Sequence, residues 1–283
     1  MIKYLIKARG FTLPVGEKTL LMGVMNLTPD SFSHDGLLTA KNDPKANCRF
    51  ALRLIKEGAD ILDIGGESTR PGSRRISTVQ ELQRILPTLR LLSAQVKVPI
   101  SIDTYKPQVA HACLDAGASI INNIMGTKVN RPLLKLVRDY GAAIVLMHMR
   151  ATPRTMQRHA KYKNLMAEII RELRVCIENC LEIGIKKDRI IIDPGIGFAK
   201  TAEQNLEIIN HLNKLQSLKL PILIGTSRKS FIGRTLGKDA DDRLWGTSAT
   251  VTAAIMRGAH IVRVHDVKAM NDVAAMADAI IKI

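Results

Sequence analysis

Polar side chains follow eight short apolar runs of this sequence, and their types suit a strongly polar or charged ligand. In chain order they are Asn26, Glu67 to Arg70, Asp103, Asn122, His148, Asp193, Ser227 to Ser230, and Arg263 with His265. A buried carboxylate is costly unless it is paired or hydrogen-bonded. Asp103 and Asp193, each one step from an apolar interior, are therefore predicted to accept hydrogen bonds from a flat amidine- or guanidine-like ligand edge.

Some of these residues also have a purely structural interpretation. Asp193 begins Asp-Pro-Gly, which is common turn chemistry, and Arg263 could pair with a structural carboxylate such as Asp266. His148 lies between two methionines and is interpreted as a structural histidine rather than a base or ligand. The sequence contains no nucleophile elbow, P-loop or His-Glu-x-x-His motif, which argues against acyl transfer, nucleotide hydrolysis and zinc-peptidase chemistry.

The apolar runs are predicted to be strands, separated by helices. The strands cover 19–26, 60–65, 99–103, 119–124, 142–148, 190–193, 221–225 and 260–265. Helical patterns include 44–57, 79–95, 107–116, 132–140, 165–182, 202–215, 243–257 and 267–281. Eight such units favour an α/β fold, a single (β/α)8 TIM barrel, over an open doubly wound sheet. We predict one domain over 1–283, with a short leader and a hairpin around Val15-Gly16.

The barrel brings the candidate residues together. In such a fold the C-terminal ends of the strands converge on one mouth, where the chemistry is mounted. Arg263 and His265 alternate with valines, so they face the same side of the last strand. Phosphate in a barrel is frequently held after the seventh and eighth strands with help from a helix N-terminus, which here would involve Ser227 to Ser230. The fold therefore favours an anion as the partner of Arg263.

The composition limits the class of protein. The chain has 283 residues, is 46% apolar and carries 42 Lys and Arg against 26 Asp and Glu, a net charge of +16. This charge favours an anionic partner, but the basic residues are scattered and do not favour nucleic acid. The four cysteines lack zinc-site spacing, which predicts a reduced, cytoplasmic protein. We expect neither a signal peptide nor a membrane helix.

Six ordered motifs along nearly the whole chain resemble the dihydropteroate synthase family, a group of sulfonamide targets. These folate-pathway enzymes join 6-hydroxymethyl-7,8-dihydropterin pyrophosphate to 4-aminobenzoate. The motifs are Asn26-Leu-Thr-Pro-Asp-Ser-Phe-Ser33, Asp63-Ile-Gly-Gly-Glu-Ser-Thr-Arg-Pro-Gly72, Ser101-Ile-Asp-Thr104, Asp193-Pro-Gly-Ile-Gly-Phe198, Gly225-Thr-Ser-Arg-Lys-Ser-Phe-Ile-Gly233 and Arg263-Val-His-Asp266. Motifs of this number and length are highly specific.

The resemblance implies which residues form each part of the site. The pterin would be bound by Asp103, Asn122, Asp193 and Lys229. The pyrophosphate would be bound by Asn26, Thr69, Arg263 and His265, with Mg²⁺ held by Asn26 and phosphate oxygens. The aminobenzoate slot would be lined by Phe32, Arg70, Pro71, Phe198 and Lys229, with Ser230 at a helix N-terminus receiving the carboxylate. Magnesium often has few protein ligands beside phosphates and water.

The resemblance also implies a mechanism and an assembly. Pyrophosphate would leave from the exocyclic methylene of the pterin, and the aniline nitrogen would attack the resulting cation. Arg263, His265 and Mg²⁺ would stabilise the departing anion, while ionised Asp103 and Asp193 would favour the cation. The resemblance implies a homodimer, and the apolar helix faces of 249–255 and 267–281 would either serve that interface or pack against the barrel.

The sequence departs from the family pattern in the loops. His34 precedes Asp35-Gly36-Leu37 where Asp-Gly-Gly is usual, Asn123 replaces an aspartate, Arg150-Ala151 replaces Gln-Gly, and Ala199 replaces a glycine. The rival interpretations are a pterin-binding methyl-transfer domain of the methyltetrahydrofolate and corrinoid type, which needs no pyrophosphate site, and a basic nucleic-acid-binding protein, which the +16 charge alone supports.

Overall fold

The structure, a computed structural model, describes residues 2–28, 43–68, 73–126, 130–152 and 155–283. Several residues of the sequence analysis lie outside these ranges: Phe32, His34, Asp35, Thr69, Arg70 and Pro71. None of the helices in the described part of the chain combines the length and the apolar composition needed to span a membrane.

Strands and helices alternate from the third strand onward. The strands are β1 Tyr4–Ala8, β2 Phe11–Val15, β3 Leu20–Asn26, β4 Ile61–Gly65, β5 Ile100–Asp103, β6 Ile120–Asn123, β7 Ala143–Met147, β8 Ile190–Asp193, β9 Leu223–Ile224 and β10 Ile261–Val264. The α-helices are α1 Pro44–Lys56, α2 Thr78–Ser93, α3 Pro107–Asp115, α4 Arg131–Asp139, α5 Leu165–Ile183, α6 Ala202–Asn210, α7 Ser230–Leu236, α8 Leu244–Met256 and α9 Val267–Ile281.

Eight parallel strands form the predicted barrel. They pair in the order β8-β7-β6-β5-β4-β3-β10-β9, and a parallel bridge between Ile192 and Ile222 joins the two ends. At this junction Ile192 N donates to Pro221 O at 3.0 Å. The strands are nearly continuous apolar runs because the barrel interior covers one face and the helices cover the other.

The side chains that point into the barrel change character along its axis. An apolar floor is formed by Leu20, Met22, Ile61, Ile120, Ala143, Val145, Ile191, Leu223 and Ile261. The β1–β2 hairpin closes the barrel beneath this floor, because Ile6, Ala8 and Val15 pack into the same cluster. Above the floor the inward positions become polar, which is where the candidate residues lie.

Two predictions about local structure are wrong in detail. The hairpin turns at Arg9 and Gly10, and the φ of Gly10 is +78°. Val15 instead ends the second strand, and Gly16 follows it. The helix predicted over 202–215 ends at Asn210 and gives way to a 3-10 helix, Leu212–Leu218. Leu212, Leu215 and Leu218 are all buried, and a spacing of three residues keeps them on one face of a 3-10 helix but not of an α-helix.

Candidate active site

Five strands contribute a layer of polar side chains at the mouth of the barrel. They are Asp63 of β4, Asp103 of β5, Asn122 of β6, Asp193 of β8 and Arg263 of β10. The parallel register brings Asp103 beside Asn122 and beside Gly65. Three of the predicted pterin residues are thus carried on one layer with Arg263, while Lys229 enters from the loop after β9.

Arg263 is held by two carboxylates across the barrel. Its Nε donates to Asp63 Oδ2 at 2.6 Å, and its Nη2 donates to Asp103 Oδ2 at 3.2 Å. Burial lowers the pKa of Arg263, but the two carboxylates outweigh burial and raise it. The structural alternative, in which Arg263 pairs with a carboxylate, is right about the pairing but wrong about Asp266, which binds Arg228 instead, at 2.5 and 3.0 Å.

Asp63, a fully buried carboxylate at the centre of the layer, has no binding role among the residues predicted from the sequence. Its Oδ2 also accepts from Asn122 Nδ2 at 3.2 Å. The sequence does contain a signal for this residue: Asp63 is an aspartate inside an apolar strand, on the same face as Ile61 and Gly65. Such a carboxylate needs a buried partner, which here is Arg263.

Asp103 has unused capacity to bind a ligand. Among the described residues, Asp103 Oδ1 is one of a few buried side-chain oxygens without a hydrogen-bond partner, as is Asp63 Oδ1. Burial raises the pKa of Asp103 to about 7, a net effect that Arg263 opposes and that the nearby carboxylates of Asp63, Glu81 and Glu67 reinforce. A hydrogen-bond donor from the mouth would meet an acceptor that the described residues leave free.

Asp193 and Lys229 form the opposite side of the layer. Asp193 Oδ1 accepts from the backbone N of Gly195 at 2.7 Å, which confirms that this aspartate also shapes its turn. Burial raises the pKa of Asp193, with Lys229 opposing the shift. Burial lowers the pKa of Lys229 to about 8, against the effect of Asp193. Lys229 Nζ also donates to Ile196 O.

A left-handed turn points Lys229 into the barrel. Arg228 has a φ of +56°, a conformation that costs roughly 1–2 kcal/mol for a residue with a Cβ. Its guanidinium pairs with Asp266, its N donates to Thr247 Oγ1 at 3.1 Å, and its O accepts from Arg243 Nη1 at 3.0 Å. These contacts hold the turn, so that Arg228 and Lys229 leave the chain in different directions.

Lys229 connects the pterin residues to the predicted aminobenzoate slot. Its Nζ lies 4.8 Å from the ring centroid of Phe198, on the loop after β8. Ser230 is the first residue of α7, at the helix N-terminus that the family resemblance implied, and its side chain is exposed. The three described members of the slot therefore lie together, whereas Phe32, Arg70 and Pro71 fall outside the described residues.

The predicted pyrophosphate residues lie on neighbouring strand ends. A methyl group at Gly65 would meet Asp103 Cβ at 3.5 Å and Asn26 Oδ1 at 3.7 Å, and the register places Asn26 and Asp103 on the two strands that flank Gly65. His265 Nδ1 lies 3.0 Å from Ser227 Oγ, and its backbone N lies 3.2 Å from the same oxygen. Thr69, the fourth predicted member, lies outside the described residues.

His148 belongs to a buried charge network below the Phe198 loop. Its Nε2 lies 3.1 Å from Glu172 Oε2, and its Nδ1 lies 3.0 Å from Lys200 Nζ. Lys200 also donates to Phe198 O at 2.9 Å, and Arg150 completes the network by binding Glu172. The interpretation of His148 as a structural histidine is confirmed, and Lys200 is a buried residue that sequence reasoning missed.

Three departures from the family pattern, Arg150, Ala151 and Ala199, lie in this network or next to it in the chain. Ala151 and Ala199, which stand where the family has glycine, have φ values of +67° and +51°. The Ala199 carbonyl accepts from Tyr162 at 3.0 Å, and Arg150 stacks over the Tyr162 ring. Asn123 Oδ1 accepts from the backbone N of Met125 at 3.1 Å. Arg150, Ala199 and Asn123 thus have local partners outside the mouth layer.

Glu67, another strand-end candidate, is part of a separate ion cluster. Lys106 Nζ lies 2.5 Å from Glu67 Oε2 and 2.6 Å from Glu81 Oε2, and it donates to Ile76 O at 2.8 Å. Burial lowers the pKa of Lys106, but the two glutamates outweigh burial and raise it. The cluster connects the end of β4 to α2 and to the start of α3.

The buried histidines make stability depend on pH. Burial lowers the pKa values of His148 and His260 to about 4, so the unfolded chain, with a histidine pKa near 6.5, takes up protons first as the pH falls. We expect each histidine to remove up to about 3 kcal/mol of unfolding free energy between pH 6.5 and 4. Denaturant unfolding at several pH values measures this slope.

His148→Gln should reduce the loss of unfolding free energy between pH 6.5 and 4 by about half, because His260 still contributes to it. His159→Gln changes an exposed histidine and should leave the slope unchanged. A His148→Gln protein with the full wild-type slope would contradict the burial argument.

Comparison with known proteins agrees with this geometry. Residues 22–265 match the family model described as pterin binding enzyme. The chain is 43% identical over 269 residues to the dihydropteroate synthase of Clostridium beijerinckii, which covers 95% of this chain and 96% of that protein.

Two solved structures share the whole fold. The dihydropteroate synthase of Yersinia pestis, solved with a sulfonamide drug, superposes with a TM-score of 0.92 at 37% identity and covers 99% of this chain and 100% of that one. The Xanthomonas albilineans enzyme, solved with 4-aminobenzoic acid, gives a TM-score of 0.90 at 37% identity and covers 100% of both chains. Together with the mouth layer, these matches mean that the chain belongs to the pterin binding enzyme family and, within it, to the dihydropteroate synthases.

Proposed function

We propose that this chain condenses 6-hydroxymethyl-7,8-dihydropterin pyrophosphate with 4-aminobenzoate, giving 7,8-dihydropteroate and pyrophosphate. It would act as a transferase of folate biosynthesis. The observation that carries the proposal is the mouth layer, in which buried acceptors on Asp103, Asn122 and Asp193 face the same space as Arg263. This combination suits one ligand with a hydrogen-bond-donating ring and an anionic tail.

The pterin end is assigned to Asp103, Asn122, Asp193 and Lys229. The two carboxylates accept hydrogen bonds from the amino-pyrimidine edge. Asp103 Oδ1 is available for such a bond, because it has no partner among the described residues. Asn122 and Lys229 supply donors to the ring oxygen and nitrogen atoms. A polar ring edge is the right occupant, because an apolar ligand would leave these buried groups unpaired.

The pyrophosphate end is assigned to Asn26, Arg263 and His265, with Thr69 as the further predicted contact. Arg263 supplies a full positive charge, and guanidinium groups bind phosphate oxygens in pairs. His265, braced by Ser227, adds a donor at the same strand end. The Asn26 amide oxygen is a hard ligand of the kind that Mg²⁺ prefers, and a magnesium ion bound through phosphates needs few protein ligands.

The reaction needs no covalent enzyme intermediate. The bond between the exocyclic methylene carbon and the pyrophosphate oxygen breaks, and the electron pair leaves with the pyrophosphate. Ionised Asp103 and Asp193 stabilise the positive charge left on the pterin, while Arg263 and His265 stabilise the leaving anion. The aniline nitrogen forms the new bond to the methylene carbon and then loses a proton. Bound Mg²⁺ would supply further charge stabilisation to the pyrophosphate.

The aminobenzoate end is assigned to Phe198, Lys229 and Ser230, together with Phe32, Arg70 and Pro71. The Phe198 ring offers a flat apolar face, and the Lys229 ammonium group lies over it at 4.8 Å. Lys229 therefore lies between the two substrates, within reach of both. The hydrogen bond from Lys229 Nζ to Ile196 O fixes the ammonium group against the loop that carries Phe198.

Purified protein given the pterin pyrophosphate, Mg²⁺ and 4-aminobenzoate should release pyrophosphate and form dihydropteroate. Pyrophosphate is measured by a coupled assay and the pterin product by chromatography. Reactions without 4-aminobenzoate, and reactions of the Arg263→Ala protein, are the controls. Folded protein that binds pterin but forms no dihydropteroate would overturn the proposal.

Removal of Mg²⁺ should abolish most of this activity. Chelation by EDTA is expected to lower the rate by about 10²-fold or more, because the pyrophosphate then departs without its cation. Added Mg²⁺ should restore the rate, and Ca²⁺, which prefers more ligands at longer distances, should restore less. Asn26→Ala should raise the Mg²⁺ concentration needed for half-maximal rate. Full activity in EDTA would contradict the assignment of Mg²⁺.

Three broader assignments accompany this function. A single domain over 1–283 is supported by one sheet that runs from β3 to β10. A cytoplasmic location is supported by the four cysteines, which are all unpaired and buried and suit a reducing compartment. A homodimer is supported by exposed apolar side chains on α7, α8 and α9, among them Leu236, Trp245, Met276 and Ile280, since large exposed apolar groups mark interfaces.

A further inference from the structure

We propose that Asp63 is a positioning residue that anchors Arg263, so that Arg263 can exchange its contact with Asp103 for the pyrophosphate when the pterin occupies Asp103. The inference rests on the function proposed above. It adds Asp63 to the site residues, and it couples the binding of the pterin half of the substrate to the binding of the pyrophosphate half.

Asp63 connects the two halves of the site through one oxygen atom. Its Oδ2 accepts from Arg263 Nε at 2.6 Å and from Asn122 Nδ2 at 3.2 Å. Arg263 is assigned to the pyrophosphate and Asn122 to the pterin. Asp63 therefore orients one side chain of each set, although it lies below both ligands.

The two carboxylates that hold Arg263 differ in depth. Asp63 is fully buried, whereas Asp103 is 7% exposed and is the last residue of its strand. The register pairs Asp63 with Ser101 and Gly65 with Asp103, so Asp103 lies one inward-facing position nearer the mouth. A ligand that enters from the mouth reaches Asp103 first, and Asp63 remains covered.

The two contacts of Arg263 also differ in length. The Nε–Asp63 contact is 2.6 Å and the Nη2–Asp103 contact is 3.2 Å, and shorter charge-assisted hydrogen bonds are stronger. The longer contact is thus the one that a ligand replaces. Donors of the pterin edge take over Asp103, and the freed Nη2 turns toward the anion while Nε stays on Asp63.

This exchange makes the binding of the two halves cooperative. Without pterin, the pyrophosphate must break the Asp103 contact to gain Arg263. Without pyrophosphate, one donor of the pterin edge can take the free Asp103 Oδ1, but the second donor must displace Arg263 from Oδ2. Whichever half binds first removes that cost for the second, and the coupling is reciprocal. If Asp63 no longer anchored it, Arg263 would pair with Asp103 alone and would compete with the pterin for that carboxylate.

Calorimetric titration of the wild-type protein tests the coupling directly. Inorganic pyrophosphate with Mg²⁺ is titrated alone and in the presence of saturating 6-methylpterin, which lacks the oxygen that the two ligands would otherwise share. We expect 6-methylpterin to tighten pyrophosphate binding at least about fivefold. The reverse titration should give the same factor. Independent binding of the two ligands would overturn the inference.

Asp63→Asn then tests the anchor. We expect pyrophosphate affinity to fall about tenfold, the affinity for 6-methylpterin to change less than about threefold, and the coupling factor to fall to near one. Asp278→Asn is the matched control, because Asp278 is a buried carboxylate that binds Thr19 at the opposite end of β3. It should retain the coupling. A coupling factor of wild-type size in folded Asp63→Asn would overturn the role of Asp63.

Arg263→Lys provides a second variant should Asp63→Asn fail to fold. Lysine keeps the charge but lacks the separate Nε–H that Asp63 anchors, so the coupling should again be lost. Wild-type coupling in Arg263→Lys would contradict the exchange. Wild-type protein that binds neither ligand and forms no dihydropteroate would instead refute the proposed function, which separates the two failures.

Discussion

Replacement of Arg263 by alanine is expected to lower kcat/KM by about 10²- to 10³-fold, the size of loss seen when a preorganised charge-stabilising donor is removed. Arg263 is the cation of the mouth layer that the carboxylates of Asp63 and Asp103 hold in place. Without it, the pyrophosphate leaves with less charge stabilisation. The loss should appear in pyrophosphate binding and in turnover, and much less in the binding of a pterin that lacks phosphate.

The same substitution should destabilise the fold. Removal of one partner from a buried ion pair typically costs about 3–5 kcal/mol, and here two carboxylates lose their cation. Uptake of a proton by Asp103, whose pKa is already raised to about 7, should offset part of this cost and make the variant relatively more stable at lower pH. Denaturant unfolding at pH 6 and pH 8 measures the difference.

Two further variants separate charge from geometry. Arg263→Lys keeps the charge without the paired donors and should recover part of the stability but little of kcat/KM. Arg257→Ala removes an exposed arginine that binds Asn210 on the outside of the barrel and should leave both properties within about threefold of wild type. A folded Arg263→Ala protein with nearly normal kcat/KM would refute the assignment of Arg263 to the leaving group.

Asp193→Asn is expected to weaken pterin binding by about 10- to 150-fold, because a hydrogen bond to a charged group contributes about 1.5–3 kcal/mol. The substitution is conservative in shape, since asparagine can still accept from Gly195 N through its amide oxygen. The loss therefore reports the negative charge rather than the turn. Fluorescence or calorimetric titration with 6-methylpterin measures the affinity.

The same variant should shift the pH dependence of the reaction. Asp193 raises the pKa of Lys229, which burial lowers to about 8, so loss of the carboxylate lowers the Lys229 pKa further. If the reaction uses protonated Lys229, activity should decline at a lower pH than in the wild type. Asp188→Asn is the matched control, because Asp188 precedes the same strand at the opposite end of the barrel. Unchanged pterin affinity in Asp193→Asn would refute the pterin assignment.

Much of this molecule could be predicted from the sequence because its signals are local. All eight barrel strands lie within the predicted ranges, and each strand end carries the polar residues that the pattern indicated. Where local signals were ambiguous the prediction failed: the hairpin turns at Gly10 rather than Gly16, and the end of the sixth main helix becomes a 3-10 helix. Helix α7 was expected only through the family resemblance, which implied a helix N-terminus at Ser230, because its seven residues are too few for a clear helical period.

The sequence by itself determined the order of strands and helices, the apolar floor and polar mouth of the barrel, and the family, because periodicity and ordered motifs are properties of the chain alone. Only the tertiary structure decided the partners within the site. Asp63 and Arg263 are separated by 200 positions, and they meet because barrel closure places β4 and β10 on either side of β3. Asp266 is closer in sequence but follows the strand, and it binds Arg228 instead. Pairing across a barrel depends on the register and closure of all its strands, which no single segment encodes.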